Sequence, residues 1–201
     1  MNYTGGCVVA MGGKNCIALA CDLRFGNEYF TCGCATPRIF KINKKIIIGM
    51  TGLFGDISSV KQDLEYKMSL YSFEKNLPIQ FLNICNILSN LLYQKRFCPL
   101  FLENIICGLD NKFEPIMSSM DILGSSVFSS NFAIVGTCNQ TLYGLCEMFW
   151  KPDLDLDELF EIVIHCLVTA SSRNCLSGWG CMVKMISPKG IVTKVIKTKI
   201  D

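Results

Sequence analysis

Three kinds of residue in this sequence could do chemistry. An acid and a base, Asp22 and Arg24, close a run that reads Cys-Ile-Ala-Leu-Ala-Cys-Asp-Leu-Arg. Thirteen cysteines offer thiols that could attack a substrate, hold a metal or form disulfides. Asp201 ends the chain, and a terminal aspartate carries two carboxylates of the kind hard cations favour. The cysteines read mostly as packing. Their count is odd and their spacing scattered, which is not a secreted disulfide framework. The only close pair is Cys32-Gly33-Cys34, there is no Cys-x-x-Cys, and His165 is the only histidine. That pattern argues against a zinc site, and most of the thiols are expected to be reduced and packed as small apolar groups.

The acid and base need an element to position them. Gly5 to Arg24 supplies one: two runs of small and β-branched residues joined by Gly12-Gly13-Lys14-Asn15, which is a β-hairpin signal. Both runs are almost wholly apolar, so both faces of the strands should be covered. Cys7 lies at the start of the first strand.

The rest of the chain alternates strands with pairs of helices. Phe25 to Cys34 reads as a loop passing into a strand, Thr36 to Ile42 as a half-buried strand, and Ile46 to Thr51 as an apolar strand closed by Gly52. A helix follows, with Asp56 at its start and Ile57, Val60, Leu64, Met68 and Tyr71 as one stripe. Pro78 allows a second helix. It is apolar nearly all round, so deep burial is expected, with Lys95-Arg96 in its last turn. Asn104 to Leu109 and Phe113 to Met120 read as a hairpin, and Asn131 to Val135 as a short strand. A third helix opens at Gly136-Thr137 and a fourth between Pro152 and Asp157. Met182 to Ile186 and Ile191 to Ile196 close the chain as a hairpin. His165 falls on the fourth helix as a packed or rim residue. Lys194, Lys197 and Lys199 suit a solvated strand face and tail. This order predicts an α+β fold, two stacked sheets between two helical layers, in one domain spanning 1–201.

Composition limits the function. Half of the 201 residues are hydrophobic and 18% are charged, below the usual quarter. So little charge predicts large buried interfaces with other chains. A net charge of +2 gives no reason to expect nucleic acid or an anionic membrane as partner. The greasiest run, Ile46 to Gly55, falls well short of the roughly 20 apolar residues a membrane span needs. The N-terminus lacks the pattern of a signal peptide, so an intracellular protein is expected.

The hairpin ending in Ala-Cys-Asp-x-Arg resembles the start of the proteasome beta-type subunits, and further stretches resemble the beta-3 type. They include Asp22-Leu23-Arg24-Phe25-Gly26, Tyr93-Gln94-Lys95-Arg96-Phe97, Gly108-Leu109-Asp110, Met120-Asp121-Ile122-Leu123-Gly124, Gly136-Thr137-Cys138, Tyr143-Gly144-Leu145-Cys146-Glu147 and Ser177-Gly178-Trp179-Gly180. The resemblance covers essentially the whole chain. It implies the four-layer αββα sandwich of the N-terminal nucleophile hydrolases.

It also implies where a catalytic site would lie. Active members use a threonine hydroxyl beside its own free amine, with a nearby cation, a carboxylate and a backbone N–H for the oxyanion. The threonine lies sixteen residues before the hairpin aspartate, which here falls on Gly6. The lysine, sixteen after it, falls on Arg38, and the second aspartate on Asn174. Asp22, Gly52, Thr137 and Ser177 persist. The resemblance therefore implies no catalytic residues, and a vacated site at Gly6, Asp22, Arg38, Asn174 and Ser177. One active reading survives: cleavage after Gly6 would expose Cys7, although one residue off register turns a strand side chain to the other face.

The role implied is architectural. A subunit of this type would stand in stacked seven-membered rings with other alpha- and beta-type subunits. It would support the ATP- and ubiquitin-dependent breakdown of proteins by active neighbours, in cytoplasm and nucleus. No cofactor is required. A structural Mg²⁺ could be shared at a subunit interface by a C-terminal aspartate, Asp201, and backbone carbonyls of a loop at Ser171, Asn174 and Ser177.

Overall fold

A computed structural model describes residues 4–76 and 79–198. Pro78, Lys199 and Asp201 lie outside them. In chain order the first strands are β1 (Cys7–Gly13), β2 (Cys16–Asp22), β3 (Phe25–Asn27), β4 (Phe30–Gly33), β5 (Ile39–Lys41) and β6 (Ile46–Gly52). Helices α1 (Phe54–Lys75) and α2 (Phe81–Gln94) follow, then β7 (Leu102–Leu109), β8 (Pro115–Met120), β9 (Ser126–Ser129) and β10 (Phe132–Gly136). Helices α3 (Asn139–Phe149) and α4 (Leu156–Ser171) precede β11 (Cys181–Ser187) and β12 (Gly190–Ile196).

The N-terminal hairpin forms as its sequence predicts. Gly13 lies opposite Cys16, and Lys14-Asn15 is the turn, with Asn15 at a left-handed φ of 54° that asparagine tolerates. Every residue of both strands is buried. Cys7, Val9, Met11, Cys16, Ala18 and Ala20 face α3 and α4, while Val8, Ala10, Ile17, Leu19 and Cys21 face the second sheet. Two-sided burial is why the runs read as continuous apolar sequence rather than alternation.

That hairpin is the centre of one five-stranded sheet, in the order β10-β1-β2-β11-β12. The second has the order β5-β6-β7-β8-β9, and both are antiparallel. A third core cluster seats Ile57, Val60 and Leu64 of α1 and Ile84, Leu88 and Leu92 of α2 on the second sheet. The layers are thus helices, sheet, sheet, helices, and the α+β sandwich is the fold expected.

Several local expectations change. The stretch after the hairpin, expected as a loop passing into a strand, ends in strand β4 as expected, but its first residues form a second strand, β3, paired with it. The strand expected over Thr36 to Ile42 pairs only at Ile39–Lys41. Edge strand β9 was not expected, because Ser-Val-Phe-Ser is short and leaves Val127 and Phe128 exposed. Helix α2 is not buried all round. Leu82 is 59% exposed and Tyr93 58%, because an outer layer meets the sheet on one face only. Lys95 caps α2 instead of lying in its last turn. Helix α3 begins at Asn139, since Gly136 ends β10 and Thr137 bonds back to Gly6. Helix α4 starts on a capping box formed by Asp155 and Glu158.

Candidate functional site

The end of β2 brings the expected site residues together. Asp22 is completely buried. Its Oδ1 accepts the Cys7 N–H at 3.0 Å, and its Oδ2 accepts the Gly178 N–H at 3.4 Å. Arg38 places its Nε 3.2 Å from Oδ1, a close charge contact, and its Nη2 donates to the Arg24 carbonyl at 2.7 Å. Burial pushes the Asp22 carboxyl above its usual range, while Arg38 and the two N–H groups oppose that push. Asp22 therefore pairs with Arg38 and not with its sequence neighbour Arg24. Arg24 instead donates to Thr31 Oγ1, Glu28 O and Leu176 O, and so ties the β3–β4 ribbon to the loop after α4.

Gly6 lies against this pair. Its φ is 118°, a conformation that L side chains rarely adopt. A Cβ on residue 6 would collide with Arg38 Cζ and fall 2.6 Å from Nη1 and 2.7 Å from Nη2. The Gly6 carbonyl accepts the Thr137 N–H at 2.9 Å and the Thr137 hydroxyl at 3.2 Å. Gly52 has φ 128°, with Phe101 O and Leu102 Cα where a Cβ would stand, and its carbonyl accepts the Thr4 hydroxyl at 2.7 Å.

Asn174 and Ser177 belong to the same corner but turn to other partners. Asn174 Nδ2 donates to Thr137 Oγ1 at 2.9 Å and to Cys138 Sγ at 3.1 Å. Its Oδ1 accepts the Leu176 N–H at 3.1 Å. Ser177 Oγ lies 2.9 Å from Cys138 Sγ. The five vacated-site positions thus meet in one corner: Gly6 bonds to Thr137 and Thr137 to Asn174 on one side, and Asp22 meets Arg38 and Gly178 on the other. Cys138 is a part of it that no sequence motif singles out, although it sits in the Gly136-Thr137-Cys138 stretch.

The Cys7 alternative meets the strand geometry. Its side chain turns into the core beneath α3 and α4, away from Arg38, and is wholly buried. The neighbouring Cys138 thiol and burial hold the Cys7 thiol well above its ordinary value. A buried, protonated thiol facing the wrong side of the strand cannot attack a substrate in this site.

Ser171, Asn174 and Ser177 share the wall of one cavity of about 490 Å³. The Ser171 carbonyl already accepts the Asn174 N–H at 3.1 Å. No cluster of three or more histidine, cysteine or acidic residues suited to a metal occurs among the described residues. The residues lining this cavity offer a hard cation only neutral oxygens, from carbonyls, hydroxyls and the Asn174 amide, so the charge would have to come from Asp201. His165 is exposed on α4 rather than packed in the core, and its ring meets Phe149 edge-on with centroids 5.2 Å apart. Lys194 is on the exposed face of β12, as expected, with its Nζ 4.0 Å from the Phe160 ring centroid. Of the thirteen cysteines, nine are buried and four exposed, and all are free thiols.

Two helical layers around stacked antiparallel sheets, with this corner at the start of the central hairpin, define the N-terminal nucleophile hydrolase class of fold. A family model described as "Proteasome subunit" matches residues 2–186. A Drosophila melanogaster protein named proteasome subunit beta type-3 is 40% identical over 99% of this chain and 98% of its own length. The Dictyostelium discoideum protein of that name is 39% identical over 100% and 98%, and a Schizosaccharomyces pombe protein named probable proteasome subunit beta type-3 is 37% identical over the same shares. The chain belongs to the proteasome subunit family.

Proposed function

We propose that this chain is a non-catalytic beta subunit of a 20S proteasome core, and that its contribution is architectural. One observation carries the reading: the Arg38 guanidinium fills the space that any side chain on residue 6 would need. The nucleophile position therefore has no hydroxyl and no room for one. Arginine stays protonated and cannot exchange a proton as a lysine with a lowered pKa can. Asn174 brings no charge to replace the missing carboxylate.

Exposed apolar side chains support the assembly role. Tyr29, Phe30, Phe73, Phe97 and Met148 are largely exposed. Aromatic and methionine side chains of this kind are enriched in buried interfaces. The subunit would sit between two beta neighbours in a seven-membered ring, against an alpha ring on one side and a second beta ring on the other. Active neighbours would perform the ATP- and ubiquitin-dependent breakdown of proteins. The particle would work in cytoplasm and nucleus, which imaging of a tagged chain tests. A Mg²⁺ between rings would be held by Asp201 and the carbonyls of Ser171, Asn174 and Ser177, and would add a cross-ring electrostatic tie.

The test is a tagged pull-down from the native cell, run on a native gel, with every co-purifying chain identified. Recovery in a large particle with alpha- and beta-type partners is the expected result. Recovery as a free 22.4 kDa chain would overturn the proposal.

A further inference from the structure

A second cavity of about 490 Å³ opens between α1 and the β5–β6 hairpin, and it shares no lining residue with the one beside the vacated site. It lies where the inner stripe of α1 lifts off the sheet. Ile57, Val60 and Leu64 are buried, but Met68 and Tyr71 are only half-buried. The most deeply buried lining residues, Ile48, Met50 and Leu64, make the floor, and Phe40, Ile42 and Met68 stand around it. The mouth is unevenly charged. Lys61 is engaged twice, with Glu65 at 3.7 Å and the Phe40 ring centroid at 4.9 Å. Lys41 pairs with no carboxylate among the described residues. Its charged neighbour is Lys184 of β11, whose Nζ donates to the Ile39 carbonyl of β5 at 3.2 Å. Burial, and then the like charge of Lys41, hold the Lys184 ammonium below its ordinary value. Three ammonium groups thus face one carboxylate at this edge of the sheet. The neutral donors are committed: Asn43 Nδ2 to the Ile79 carbonyl, and the Ser69 and Ser72 hydroxyls to carbonyls of α1. Only the lysines are left to donate to a ligand.

We infer that this cavity binds a small amphiphilic carboxylate, with its apolar chain on Ile48, Met50 and Leu64 and its head group on Lys41 at the mouth. Charge selects the head. An anion supplies the countercharge that Lys41 lacks, whereas a cationic head would meet like charge on Lys41 and Lys184. The floor selects the chain, because it offers apolar side chains and no free donor. The volume falls in the range of roughly 300–1,000 Å³ usual for small-molecule sites. The apolar side chains that suit a partner protein stand elsewhere on α1. Tyr66, Leu70 and Phe73 recur at helical spacing, are exposed, and line no part of the cavity. The site is built by this chain alone, so it does not depend on the assembly proposed above.

The experiment incubates the tagged full chain, in whatever assembly it purifies, with a diazirine-bearing decanoate below its micelle concentration. The sample is irradiated and digested, and the labelled residues are mapped by mass. The label should fall on Ile48, Met50, Leu64 or Met68. Unlabelled fatty acids should compete, each added methylene improving competition by up to about fourfold until the cavity is full. Alkyltrimethylammonium ions of the same chain lengths should not compete. Lys41→Glu, at an exposed position, should cut labelling about tenfold through the loss of one charge-assisted contact. Lys75→Glu makes the same charge change in the last turn of α1, outside the cavity, and should leave labelling unchanged. Equal labelling of the two variants, equal competition by the cations, or label on Tyr66 or Phe73 instead would overturn the inference. So would label that reaches the cavity only on chain released from a large particle, because a neighbouring subunit would then fill it.

Discussion

The guanidinium of Arg38 occupies the volume in which a side chain on residue 6 would begin, and Gly6 is the residue that lets it do so. The two positions are therefore one feature. With glycine at 6, the arginine can reach Asp22 and the Arg24 carbonyl at once. Restoring a side chain there should break that arrangement without restoring chemistry. Gly6→Ala forces a non-glycine residue to φ 118°, which costs about 1–3 kcal/mol, and also displaces Arg38. Gly6→Thr should be no better and should show no hydrolysis of short fluorogenic peptides. A urea midpoint for each variant and a peptidase assay check this. Measurable hydrolysis by Gly6→Thr would contradict it.

Arg38→Met should cost more. Asp22 would stay buried with its countercharge gone, a loss of about 3–5 kcal/mol for a broken buried pair. The pH dependence has a definite sign. Burial raises the Asp22 carboxyl in the fold. A carboxyl with a raised folded value favours the fold most below its unfolded value near 3.9, and that contribution is lost as pH rises through the folded value. Arg38 is the main opposing influence, so its removal raises the folded value further. The gap between Arg38→Met and the unmodified chain should therefore be widest above the folded value and shrink as pH falls through it. Denaturation at several pH values measures it; a gap that widens on acidification would exclude the argument.

Asn174→Asp isolates what the side-chain amide does in this corner. The amide nitrogen donates to Thr137 Oγ1 and Cys138 Sγ, and an ionised carboxylate can donate to neither. The variant should lose about 1–3 kcal/mol through unpaired partners. The added negative charge should also raise the Cys138 thiol from about 6 towards its ordinary value. Thermal unfolding reads the first effect and the pH profile of thiol alkylation the second. An unchanged thiol profile would mean that the Asn174 bond does not stabilise the thiolate.

How much of this was legible follows from how local each signal is. The hairpin and β6 were visible because strands covered on both faces leave unbroken apolar runs. The α1 stripe was visible because Ile57, Val60 and Leu64 repeat at the helical spacing. The Asp155-x-x-Glu158 capping box is a written signature that the strong apolar run after it overshadowed. Strand β9 has no core of its own and gave no signal. Counting from Asp22 located Gly6 and Arg38, but nothing local could say that one fills the other's space. The same holds for Arg24, whose hold on Leu176 spans 152 positions, and for Asn174, which reaches Thr137 across 37. Such contacts depend on sheet order, and sheet order is set by long-range pairing that no short motif encodes.

The exposed ring of Phe97 separates folding from assembly. It is 88% exposed, with the Arg96 guanidinium 4.3 Å above its centroid, in the turn that follows α2. A ring so exposed contributes little to the fold, so Phe97→Ser should change the stability of the chain by no more than about 0.5 kcal/mol. If the chain works as a subunit, an arginine stacked on an aromatic ring is the kind of surface that a partner buries, and such anchors carry a large share of interface energy. The same substitution should then lower recovery of the tagged chain in the large particle. A second variant, Lys112→Ser, at the exposed turn between β7 and β8, carries no apolar group and serves as the control. Normal recovery of Phe97→Ser in the particle would remove this turn from the interface. Loss of recovery with an unchanged urea midpoint would place a neighbouring subunit on it.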